Sequence, residues 1–94
     1  MEQFLHRNEL DQDERAVLDI YLMGVMHALT GVNQVHQANG KERVYTTHDA
    51  NDALNPTEIE TIVDEFLTRR PDMQTQPLGL AAVMAVLQRF PATP

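Results

Sequence analysis

The sequence predicts a small all-α protein: a four-helix bundle with three strong helices and one weak one, a long central helix and a C-terminal helical hairpin. Two observations carry this. Apolar residues recur at helical spacing through three segments, and caps, prolines and an Asn-Gly pair punctuate the chain at the expected helix boundaries. A third agrees with them: the only stretch of strand propensity, Val44-Tyr45-Thr46-Thr47, is short and has no obvious partner. Ninety-four residues make one domain, 1–94.

The opening segment is the weak helix. The first strong helix is expected from about Leu10 to about Val35. Asn8, or Asp11 with Glu14 three residues on, supplies the cap, and acids crowd the first turn where the helix dipole favours them. One face reads Val17, Ile20/Tyr21, Gly24, Ala28, Gly31/Val32, Val35. Its small residues Gly24, Ala28 and Gly31 form a surface that another backbone can approach, either a second copy of the chain or the last helix. The flank Leu18, Leu22, Val25, Met26 and Leu29 is apolar too, as expected of a central helix. Asn39-Gly40 stops it.

Residues 40–55 read as a linker ending in a turn-rich cluster. Asn55 then caps, Pro56 takes the first helical position and Glu58 the capping-box position. Ile59, Ile62, Val63, Phe66 and Leu67 form the predicted core face; Glu60, Thr61, Asp64, Glu65 and Thr68 are assigned to solvent. Pro71 ends this helix. Pro77 starts the last, with a stripe of Leu80, Val83, Met84 and Leu87 flanked by Ala81, Ala82 and Ala85, up to Phe90-Pro91.

Composition narrows the function. The chain has no cysteine and no tryptophan, and no serine. Disulfides, thiolate metal sites and serine or cysteine nucleophiles are therefore closed. Seven basic residues against 14 acidic ones give a net charge of −7, which argues against nucleic acid and membrane surfaces as partners. The longest apolar-rich stretch, Ile20–Leu29, is too short to cross a bilayer. The histidines His6, His27, His36 and His48 include no i, i+4 pair. Asp49, Asn51 and Glu60 fall at calcium-loop positions 1, 3 and 12, but Ala53 and Leu54 occupy positions 5 and 6, where an oxygen ligand and a glycine are needed. The paired carboxylates Asp11/Asp13/Glu14 and Asp64/Glu65 lie on faces assigned to solvent. No catalytic, cofactor-binding or metal-ligating residue is expected, and no cofactor.

The run Tyr21-Leu22-Met23-Gly24-Val25-Met26-His27-Ala28, then Gly40-Lys41 and Val44-Tyr45, resembles a known layout. So does the later series Leu54, Asn55, Ile62-Val63, Phe66-Leu67, Pro71, Val86-Leu87 and Phe90-Pro91. Over residues 17–91 the chain resembles the Tai/Rap-type immunity proteins of bacterial type VI secretion systems, which are similar in fold to HdeA-type acid-stress chaperones. Thr46 or Thr47 stands where that family has a loop cysteine, and Ala92 where it has the terminal one.

The resemblance implies a non-enzymatic inhibitor that binds a secreted toxin, with peptidoglycan amidase effectors as the partner class. It implies a periplasmic location if a leader was removed; the chain taken as complete reads as cytoplasmic. It also implies that Ala92 lies near Thr46 or Thr47. Net charge −7 suits a basic partner. The residues expected at the contact lie in the two connectors: Val44, Tyr45, His48 and Asp49 in the longer, Arg70, Asp72 and Met73 in the shorter. Tyr45 also reads, in preference to a contact, as a loop anchor tucked onto the bundle. The alternative functions are an HdeA-like acid-stress chaperone, since seven basic residues and four histidines leave about +11 below roughly pH 3, and a helical dimerisation or adaptor module, with homodimer formation through Gly24, Ala28 and Gly31.

Overall fold

The structure is a computed structural model in which residues 1–46 and 54–91 are described. Helix α1 is a single turn, Glu2–Leu5, followed by a 3-10 turn at Arg7–Glu9. Helix α2 spans Gln12–Ala38. It begins where the Asp11 carboxylate accepts the Glu14 N–H at 2.8 Å; Asn8 sits in the preceding 3-10 turn instead. That hydrogen bond holds the Asp11 carboxyl below the usual carboxylate range.

The far end of α2 closes by a Schellman motif. Lys41 N–H donates to the His36 carbonyl at 2.7 Å and Gly40 N–H to the Gln37 carbonyl at 3.1 Å. The crossing needs a left-handed residue, and Gly40 supplies it at φ 71°. The helix is three residues longer at this end than the sequence predicts. Its 27 residues span about 40 Å, which sets the 44 Å long dimension of the molecule.

Helix α3, Pro56–Arg69, starts with a complete capping box. Asn55 Oδ1 accepts the Glu58 N–H at 2.8 Å, and Glu58 Oε1 accepts the Asn55 N–H at 3.2 Å. Ile59, Ile62, Val63, Phe66 and Leu67 are all buried, as the spacing predicts. A 3-10 turn at Pro71–Thr75 leads to α4, Leu78–Arg89, which packs antiparallel on α3 as a hairpin. Helix α2 lies across both. The core runs from Phe4 under α1 through Leu22, Met26, Ile59, Val63 and Phe66 to Val86.

Two expectations are corrected, on α4 and at Glu60, and on α2 the structure decides between two apolar faces. The core face of α2 is the flank Leu18, Leu22, Met26 and Leu29, continued by Asn33; the face from Val17 to Val35 points outward. Either stripe of this helix satisfies a 3.6-residue period, and the packing of α3 and α4 selects between them. On α4 the buried residues are Leu78, Ala81, Ala82, Ala85 and Val86, while Leu80 is exposed. The alanines beside that stripe are the contact surface, because small side chains let the two axes of the hairpin approach.

Glu60, assigned to solvent, is buried. Its Oε2 accepts from Arg15 Nη2 at 2.7 Å and lies 3.6 Å from Arg7 Nε. Arg7 also pairs with Asp64, donates to the Phe4 carbonyl at 3.0 Å, and stacks 4.4 Å from the centre of the Phe4 ring. These contacts strap the N-terminal segment over Phe4, which is fully buried.

The short extended run does find a partner. Tyr45 forms an antiparallel bridge with Pro91, and Thr46 N–H donates to the Phe90 carbonyl at 3.1 Å. The first connector therefore meets the C-terminal segment. Ala92 and Thr47, for which close approach is implied by the resemblance, lie outside the described residues, as do His48, Asp49 and Asn51 of the calcium-loop reading.

Candidate interaction surface

The connectors are less available than the sequence suggests. Tyr45 has no exposed surface. Its hydroxyl lies 3.0 Å from Thr30 Oγ1, and its carbonyl accepts from Asn33 Nδ2 at 3.1 Å. Asn33 Oδ1 in turn accepts the Val44 N–H at 2.7 Å, so Val44 is half-buried and fixed. One buried carboxamide on α2 thus bonds both a donor and an acceptor of the extended loop. Tyr45 is the anchor of that loop and not an exposed contact.

In the second connector Met73 is buried beneath the 3-10 turn, another correction. Its neighbours Arg70 and Asp72 are exposed but committed to one another, at 3.1 and 3.2 Å. The hydrogen bond from Arg70 holds the Asp72 carboxyl below its ordinary range, and the same bond raises Arg70. His48 and Asp49 lie outside the described residues. Among the described residues no cluster of three His, Asp or Glu could hold a metal.

Among the described residues, five of the exposed large apolar side chains lie on the outward face of α2. Val17 is 65% exposed, Ile20 71% and Val35 58%, with Tyr21 and Val32 nearly half exposed. Between these lie Gly24, Ala28 and Gly31. A Cβ built on Gly24 or Gly31 meets nothing within 4 Å. The small-residue face therefore does not seat the last helix. Each mid-helix glycine costs about 0.5–1 kcal/mol relative to alanine, and no contact among the described residues requires either one.

The one close glycine is Gly79 on α4, where a Cβ would fall 2.7 Å from the Tyr21 hydroxyl. Tyr21 leans over that gap, half on α4 and half in solvent. At this end of the stripe a groove of about 460 Å³ opens, lined by Met1, Phe4, Val17, Tyr21, Pro77 and Leu78 among others. By length and composition alone α2 could also cross a membrane; here its other side forms the core against α3 and α4.

Sequence reasoning identified Gly24, Ala28 and Gly31 as an approach surface and missed Asn33, Gly79 and the Arg7–Glu60 strap. Asn33 alone carries a legible signal, a polar residue at the core period of an otherwise apolar helix. Comparison with protein-family models, with curated proteins and with solved structures finds no match to this chain.

Proposed function

We infer that the chain works by binding protein and performs no catalysis, and that its contact surface is the outward stripe of α2. The observation that carries this is the row of exposed apolar side chains on one face of α2, Val17, Ile20, Tyr21, Val32 and Val35; the main exposed apolar patch of a small protein is often its functional surface. Within that reading the function we propose is an inhibitor of a secreted toxin, with a peptidoglycan amidase as the target class. The resemblance to the Tai/Rap-type family supports it. So does the Tyr45–Pro91 bridge, which ties loop to C-terminal segment where the family uses a disulfide. The test is binding of the purified chain to an amidase effector encoded beside it, by calorimetry, with loss of peptidoglycan cleavage in the complex. An effector that neither binds nor slows sinks the inhibitor reading.

A chaperone of the acid-stress kind is the second reading, favoured by the strap. Acid strong enough to neutralise Glu60 and Asp64 removes the partners of Arg7 and Arg15 and frees the segment that covers Phe4. Suppression of client aggregation at pH 2–3 and not at pH 7 would favour this reading over the inhibitor.

A further inference from the structure

We propose that Asn39-Gly40, at the end of α2, is a self-modifying site: the Gly40 backbone nitrogen converts the Asn39 side chain to aspartate and isoaspartate, and the fold of the helix end holds that reaction in check. The chemistry needs an asparagine, an unhindered nitrogen directly after it, and access to water. Asn39 alone among the asparagines is followed by glycine, which has no Cβ to shield its nitrogen, and both residues are exposed. Asn55 precedes Pro56, which has no amide proton to give. Asn33 is buried, with its carboxamide bonded to Val44 and Tyr45. Asn8 precedes Glu9, whose N–H donates to the His6 carbonyl at 2.9 Å.

The step balances with water alone. The Gly40 nitrogen attacks Asn39 Cγ. An N–Cγ bond forms, the Cγ–Nδ2 bond breaks, and ammonia leaves carrying the Gly40 amide proton. The product is a cyclic imide, and water then opens it at either carbonyl. Opening at Cγ gives aspartate. Opening at the Asn39 main-chain carbonyl gives isoaspartate, in which the chain runs through the side-chain carbon. Nothing is oxidised or reduced.

The geometry of the helix end sets the rate. Ring closure requires the Gly40 nitrogen to lie on the same side of the Cα–C bond as the Asn39 Cβ. At φ −96° and ψ 11° it is nearly eclipsed with the Asn39 nitrogen instead, on the far side from Cβ. The Gly40 N–H is also committed to the Gln37 carbonyl at 3.1 Å, and the next amide, Lys41, to the His36 carbonyl at 2.7 Å. Turning the Asn39 carbonyl into the reactive position breaks both bonds. The reaction therefore proceeds from the opened helix end, at a rate scaled by the fraction of time that end is open.

Refolding does not undo the conversion. Isoaspartate adds a methylene to the main chain inside the Schellman closure, and either product puts a negative charge at the helix C-terminus, where the dipole disfavours it. The same turn is tied to the loop that carries Tyr45, because His36 Nδ1 lies 2.9 Å from the Glu42 carbonyl. The modified helix end loosens where that loop departs. The Asn39 N–H reaches the Val35 carbonyl at 3.1 Å, so the new charge arises one turn from the end of the outward stripe. The site is a one-way record of how often the end of α2 has opened.

The test holds the full chain and its Asn39→Gln variant in warm neutral buffer, with and without denaturing guanidinium chloride. Peptide mapping by mass spectrometry follows the amide-to-acid mass gain, and an isoaspartyl-specific methyltransferase scores isoaspartate. In denaturant Asn39 should convert before any other asparagine. In the folded chain the same site should convert about tenfold or more slowly. Asn39→Gln should form no product at this position, since the longer side chain closes a ring poorly. Anion exchange then separates the modified chain by its added negative charge. That fraction should melt lower than the unmodified chain, with faster hydrogen exchange at the Gly40 and Lys41 amides. Another asparagine converting first in denaturant overturns the site. Equal rates with and without denaturant overturn the restraint by the helix end. A modified fraction that melts and exchanges like the unmodified chain overturns the consequence drawn for α2.

Discussion

Replacing Asn33 by alanine isolates one polar device in the core. The carboxamide is 97% buried, being 3% exposed, and it makes two bonds to the extended loop, 2.7 Å from the Val44 N–H and 3.1 Å to the Tyr45 carbonyl. Alanine removes both and supplies nothing. Each stranded backbone group costs about 1–3 kcal/mol; the Tyr45 carbonyl is buried while the Val44 amide sits partly near the surface, so about 3 kcal/mol is expected for the pair. For a domain of this size 1 kcal/mol moves the midpoint by about 4–8 °C, so Asn33→Ala should melt about 12–24 °C lower by circular dichroism. Gln34→Ala, one residue on and exposed, should move it by less than about 0.5 kcal/mol. Hydrogen exchange adds a local readout: the Val44 and Thr46 amides should lose protection before those of α3. If Asn33→Ala and Gln34→Ala melt alike, the loop is not held by this residue and the account of Tyr45 as its anchor fails.

Phe66→Ala empties a site with no exposed surface and should cost about 3–5 kcal/mol, measured by urea denaturation; an unchanged midpoint would mean that the α3 register is wrong. Gly79→Ala places a Cβ 2.7 Å from the Tyr21 hydroxyl, the free end of a half-exposed side chain that can swing into solvent, so the variant should melt no lower than wild type on helix propensity; a clear drop, relieved by Tyr21→Ala, would mean that Tyr21 is held fast over Gly79. Glu60→Gln leaves Arg7 and Arg15 short of their common partner and should cost about 1–3 kcal/mol, less than a fully buried pair because Arg15 reaches solvent; limited proteolysis should then cut first within residues 1–10. Asp11 and Asp72 have lowered carboxyl pKa values, so the unfolded chain binds protons before the folded one: their stabilisation is present above the ordinary carboxylate range and drains away as pH falls through the lowered values. Asp11→Asn and Asp72→Asn should flatten the acid limb of the stability curve, and an unaltered limb would refute that assignment.

Element boundaries were legible where the signal is local. The Asn55-Pro56-Glu58 box, the Asn39-Gly40 stop and the proline punctuation each act over a few residues, and each is where the sequence predicts it. The face of α2 was not legible, because both its stripes are apolar and the choice belongs to elements forty residues away. Glu60 was misplaced for a related reason: a carboxylate reads as solvated until a distant arginine is brought to it, and Arg7 and Arg15 precede it by dozens of positions. Tyr45 was readable as an anchor or a contact, and only the arrival of Pro91 beside it separates the two. The approach surface at Gly24, Ala28 and Gly31 was visible as composition; that it stays open required the fold.

The bridge between Tyr45 and Pro91 has a consequence for the order in which the chain assembles. It joins segments separated by nearly half the sequence, so its closure entropy is met only after the intervening hairpin of α3 and α4 has formed. That hairpin is local, capped and rich in contacts, and it is the natural nucleus. The latch is expected to close last and, in unfolding, to open first. Substitutions at Tyr45 and Asn33 should therefore speed unfolding and leave the folding rate nearly untouched, whereas Phe66→Ala should slow folding. Until the latch shuts, Asn33 and the far end of α2 stand uncovered, so a nascent chain lacking its last residues would keep a half-built helix open to proteases.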